Sequence, residues 1–145
     1  MNQFNYNVVR NKVEAFKNGK RDFNPTDLID IKLYLQLYKD QVNNTEFFTG
    51  VIQKYKIVSC FADNFHDEIH EYVFKKYAAA ISIIVMVDNK EVYIKNNKLL
   101  CNINICKFAQ QLCQGDCIDG TESIARGKLT DKFLKLTANL QPCNQ

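Results

Sequence analysis

Hydrophobic positions change their rhythm about halfway along the chain. Up to residue 77 they recur mostly at helical intervals, and from 78 to 105 they run together or alternate. Val9, Val13 and Phe16 share one helical face over residues 7–18, and Asn18-Gly19 supplies a left-handed stop. Asn24-Pro25-Thr26-Asp27 is a helix start, because Asn caps exposed amides, Pro fits the first turn and Asp complements its positive end. Leucine content and this cap favour a helix buried on two sides over Leu28 to Tyr38, although the same residues also alternate like a strand. Phe47, Phe48, Val51, Ile52 and Tyr55 favour another helix over 46–58. Phe61, Phe65, Ile69, Val73 and Tyr77 predict an amphipathic one over 61–77, with acids early and Lys75-Lys76 late.

The run Ala78 to Val87 suits a buried central strand. Asp88-Asn89-Lys90 is turn chemistry, Val92 and Ile94 alternate in the next segment, and Cys101, Ile103 and Ile105 alternate in a third, against Asn102 and Asn104. Together these predict a three-stranded antiparallel meander. Short helices follow over 106–114 and over 130–140, the second with Phe133, Leu134 and Leu136 inward. The expected fold is α+β: a helical first half packed on the meander, with C-terminal helices. With 145 residues, 46% hydrophobic and only five Gly and two Pro, one domain spanning 1–145 is expected. No window approaches the roughly 20 apolar residues of a membrane-spanning helix.

Charge adds a direction. Residues 1–72 carry nine Lys/Arg against ten Asp/Glu, and residues 73–145 carry ten against six, so an anionic partner is expected to prefer the second half. The candidate nucleic-acid contacts there are Lys90, Lys95, Lys98, Lys107, Arg126 and Lys128, with Lys132 and Lys135 beyond and Tyr93, Phe108 and Phe133 interleaved. The ordinary alternative is a solvated lysine-rich surface. The abundance of Lys and Asn fits an AT-rich genome, such as those of many large DNA viruses. The first residues lack a signal-peptide pattern, so an intracellular protein, in cytoplasm or nucleus, is expected, with its six cysteines reduced.

Specific chemistry has few places to reside. His66 and His70 are one helical turn apart, a spacing that lets two imidazoles hold one metal, and Cys113 and Cys117 would complete a tetrahedral structural zinc site. Cys101 and Cys106 are a second available pair. The plainer reading puts both histidines at the solvated border of the helix, Asp63 at its cap and the cysteines in the core. Cys60, six residues before His66, is the one thiol placed to suggest nucleophilic catalysis. The stretch Gly120 to Lys128 has the wrong glycine spacing for a phosphate-binding loop and reads as a surface loop.

Asp88 to Ile94, followed by Asn102-Ile103-Asn104-Ile105-Cys106-Lys107, resembles the KilA-N domain of large DNA viruses and phages. Ile103, Asn104 and Lys107 match that family's strand-to-helix motif, whereas its Thr and its downstream Trp have no counterpart. The resemblance implies DNA binding. The leading expectation is therefore a non-catalytic binding protein for nucleic acid or an acidic surface. The alternative is a protein-interaction or homo-oligomerisation module, suggested by ten Phe and seven Tyr in so short a chain. A thiol- or metal-dependent enzyme comes third.

Overall fold

The computed structural model describes residues 6–117 and 123–143. The chain divides into two compact units, with the boundary between Asn44 and Thr45. The first unit is a helical hairpin, α1 (Tyr6–Lys17) and α2 (Pro25–Asn43). Val9 and Val13 are buried on α1, and Gly19, at φ +106°, ends it as its lack of a Cβ allows. The Asn24 side chain accepts from the Asp27 amide at 2.7 Å, and Asp27 also takes the Lys12 ammonium at 2.7 Å, joining cap and hairpin through one carboxylate. α2 is not buried on two sides. One neighbouring helix covers one side, so Ile31 and Tyr34 are buried while Leu28, Ile29 and Leu33 are exposed.

The second unit is a mixed seven-stranded sheet. Its elements run β1 (Phe48–Ile52), β2 (Tyr55–Phe61), α3 (His66–Tyr77), β3 (Ile81–Met86), β4 (Glu91–Asn96), α4 (Ile105–Leu112), β5 (Gly115–Cys117), β6 (Ile124–Lys128), α5 (Asp131–Leu136) and β7 (Gln141–Pro142). The strand order is β5-β6-β4-β3-β2-β1-β7. All neighbours are antiparallel except β2 and β3, whose parallel pairing requires the α3 crossover.

Strand alternation separates two layers. Ile57, Ile81, Ile83, Val85, Val92, Ile94 and Ala125 form one face, covered by Ile105, Phe108, Ala109 and Leu112 of α4 and Phe133 of α5. Val58, Cys60, Ser82 and Ile84 point the other way, where α3 buries Ile69, His70 and Val73. β3 is buried along its whole length, as the apolar run from 78 to 87 predicts.

Several segments depart from the sequence reading. The expected helix over 46–58 is the β1–β2 hairpin. Its turn, Gln53-Lys54, lies at φ 52° and 74° and carries neither the Asn nor the Gly that normally marks such a turn. Phe61 consequently closes β2, and α3 starts only at His66.

The third meander strand does not form. Residues 97–104 are a loop held by amide side chains: Asn96 Nδ2 donates to the Ile103 carbonyl, Asn97 Nδ2 donates to that of Ala79, and Asn104 caps α4 by accepting from the Cys106 and Lys107 amides. β6 takes the place beside β4 instead, made from residues that read as a loop. In the last helix Thr130 caps and Phe133 is buried, but α5 stops at Leu136, leaving Leu134 and Leu136 exposed.

The Gln53-Lys54 turn holds two side chains in the left-handed region, which disfavours each by roughly 1 kcal/mol. Lys54→Gly should raise unfolding stability by about 1 kcal/mol, read as a higher denaturant midpoint at unchanged slope. A lower midpoint would contradict the turn.

Candidate functional site

Two histidines reach the sheet from the first turns of α3. Phe65 precedes the helix at φ 63° with no side-chain cap, so Asp63 does not serve as one. His66 Nε2 lies 3.3 Å from the Ala62 carbonyl, and its ring stacks on Tyr93 of β4 at 4.7 Å between centroids and 18° between planes. One turn later His70 shares a 2.7 Å hydrogen bond between Nδ1 and Ser82 Oγ. It is buried rather than at a solvated border.

Burial, then the charges of Lys95 and His66, push the His70 pKa down to about 3. Burial also lowers that of His66, opposed first by the Ala62 carbonyl and then by Asp67, Asp63 and Glu68. Ser82 is fully buried beneath α3, so the Ser–His pair ties helix to strand and offers no open nucleophile.

The sheet stands between these histidines and Cys113. His70 meets Ser82 on one face, whereas Cys113 belongs to the core on the α4 face. The Cys117 side chain lies outside the described residues, and among those no group of three or more His, Cys, Asp or Glu is placed to hold a metal. Cys60, Cys101 and Cys113 are free and buried. Burial pushes the Cys60 thiol up to about 12 and that of Cys113 to about 11, the opposite of what a nucleophile requires. Cys106 is disulfide-bonded, contrary to the expectation that every thiol is reduced.

The basic residues fall into two groups. Register places Glu91, Tyr93 and Lys95 of β4 on the same face as Met86, Ile84 and Ser82, and pairs Glu91 with Lys128 and Tyr93 with Arg126 on β6. Here Glu91, Tyr93 and Lys95 are half-buried, while Arg126 and Lys128 are exposed. At the strand ends an open cleft of about 580 Å³ is lined by Lys90, Arg126 and Lys128, with Glu91 and the polar Asn89 and Gln114.

Among the described lining residues three bases face one acid, Glu91, which reaches Arg126 at 3.3 Å, and Asp116 of β5 is the register partner of Arg126 on the next strand. Lys90 sits at φ 53°, a position that glycine would fill with less strain, so the chain places a cation there against local preference. Lys98 lies in the loop after β4 and Lys107 on the outer side of α4, away from the cleft.

A second depression, of about 230 Å³, is apolar. Phe48, Ser59, Phe61 and Val85 form its floor, and Phe133, Leu134 and Leu140 its wall. Phe61 and Leu134 are more than half exposed, at 56% and 52%.

Residue types missed in the sequence reading are Ser82 and Glu91. Ser82 is the one polar residue within Ala78–Val87, and that break in an apolar run was its available signal. Glu91 acquires meaning only through its pairing with β6.

The chain matches no protein-family model, and no curated protein matches it. A solved structure titled as an uncharacterized protein from Helicobacter pylori G27 is similar at 16% identity over 79% of this chain, with a TM-score of 0.46. The similarity spans 30% of that longer chain.

A histidine buried neutral makes stability acid-sensitive. The folded His70 pKa lies below the unfolded value, so its contribution is complete above about 6.5 and is lost as pH falls toward about 3. Unfolding free energy should drop by about 1.4 kcal/mol per pH unit in the lower part of this window. His70→Asn should flatten the profile whatever its absolute stability; parallel wild-type and variant profiles would remove His70 as the cause.

Proposed function

We propose that the chain is a binding protein for a polyanion, nucleic acid foremost, which it contacts through the cleft of Lys90, Arg126 and Lys128 and the adjoining face of β4 and β6. The observation that carries this reading is the gathering of three bases, from a turn and a strand far apart in sequence, around one opening. A cation at the left-handed Lys90 adds support, because side chains held against backbone preference concentrate where they are used. Lys95, half-buried and paired with Ser82, adds a further positive charge two residues along the same face of β4. The DNA binding implied by the KilA-N resemblance concerns the same partner class, but through Lys107 on another surface.

Phosphate attraction should show as affinity that falls steeply with salt, each lost contact reducing the log–log slope by about 0.7–0.9. Lys90→Gly separates function from fold, since it removes a charge while relieving a strained backbone. It should weaken retention on heparin while leaving thermal stability equal or higher. Arg126→Gln with Lys128→Gln should nearly abolish retention, whereas Lys98→Gln with Lys107→Gln should leave most of it. Loss only in the latter pair would move the interface to α4 and the loop before it.

The second reading is a protein-interaction module, favoured by the apolar groove with Phe61 and Leu134 at its rim. Sedimentation equilibrium tests the self-association form of it. A mass that rises with concentration and returns to the monomer in Phe61→Asp supports that reading; a monomer throughout counts against it.

A further inference from the structure

We infer that the polyanion is single-stranded nucleic acid, with an unpaired base stacking at the His66–Tyr93 ring pair. This rests on the polyanion reading above and names the ligand of that site. Tyr93 lies within the basic face: Arg126 is its cross-strand partner on one side, Ile84 its partner on the other, and Lys95 follows two residues along the same strand. Two residues of strand advance about 7 Å, close to the length of an extended nucleotide. A phosphate at Lys95 therefore brings the attached base to the Tyr93 ring, with Arg126 directly beside that ring on the neighbouring strand.

His66 stacks on Tyr93 at 4.7 Å and fixes its plane, so the aromatic surface is ordered before a ligand arrives. Both residues are partly exposed. The Glu91 carboxylate, 3.3 Å from Arg126, holds the guanidinium beside this row and competes with phosphate for it.

These features distinguish single strands from duplexes. Lysines and arginines attract phosphates of either form, whereas an aromatic ring gains from a base only when that base is unpaired and its face is free. A double helix resting on this face of the sheet would present its phosphates and keep its base faces stacked inside. The charge complement of the face fits both; Tyr93 fits one.

The test measures fluorescence anisotropy at low salt with a labelled oligothymidine of about 12 nucleotides and with a duplex of the same length. The wild-type chain should bind the single strand at least about fivefold more tightly. Tyr93→Leu should weaken single-strand binding by about 5- to 100-fold while changing duplex binding less than about twofold. Tyr93→Phe should retain the wild-type preference, and Glu91→Gln should tighten both ligands.

Equal wild-type affinity for the two ligands, or equal loss for both in a folded Tyr93→Leu, would overturn the stacking inference and leave the polyanion reading standing. Failure of the wild-type chain to bind either ligand would overturn both. The wild-type comparison decides the matter if Tyr93→Leu does not fold.

Discussion

The structure turns on β3, a six-residue strand buried on both faces and parallel to β2. A parallel neighbour cannot be reached by a tight turn, so the chain must cross over the sheet, and α3 is that crossing. The helix packs on β3 through His70 and Ser82, and α4 and α5 close the opposite face over Phe108 and Phe133. Beside α3, the same face continues onto β4 and β6 with Glu91, Tyr93, Lys95, Arg126 and Lys128, next to the partly buried Ile124. The half of the face beneath α3 is core, and the half beyond it is mostly polar and charged.

That division accounts for the contrasting behaviour of groups close in sequence. His70 and Cys60 lie on the covered half, where burial disfavours charge, so one stays neutral and the other stays a thiol. Arg126 and Lys128 lie on the open half and remain in contact with water. Tyr93 stands at the border, its ring held by His66 from the helix and its register shared with Arg126 from the next strand. Positive φ at Lys90 and Phe65 shows where the backbone is strained to deliver these elements.

The α+β class, the first two helices, the buried run of β3 and its turn into β4 were legible because each is written in local periodicity or capping chemistry. The β1–β2 hairpin was not. Phe47, Phe48, Val51 and Ile52 suit a helix and a strand equally, and a Gln-Lys turn carries no signal. The alternation of Cys101, Ile103 and Ile105 misled because Asn96, Asn97 and Asn104 spend their amides fixing a loop and a cap. Of the candidate site, charge bias pointed to the half of the chain that contains the cleft. It could not separate Lys98 and Lys107 from Lys90, Arg126 and Lys128, since only strand pairing brings the latter together. The histidine pair was conspicuous in sequence, yet the fold commits one imidazole to Ser82 and the other to Tyr93.

The central claim is that one half of one sheet face receives the ligand. Backbone amide shifts followed by NMR during titration with an oligothymidine test it most directly. The account predicts changes concentrated at Lys90, Glu91, Tyr93, Lys95, Arg126 and Lys128, with Lys98, Lys107, Phe61 and Leu134 unmoved. Changes centred on Lys98 and Lys107, or on the groove at Phe61 and Leu134, would contradict it.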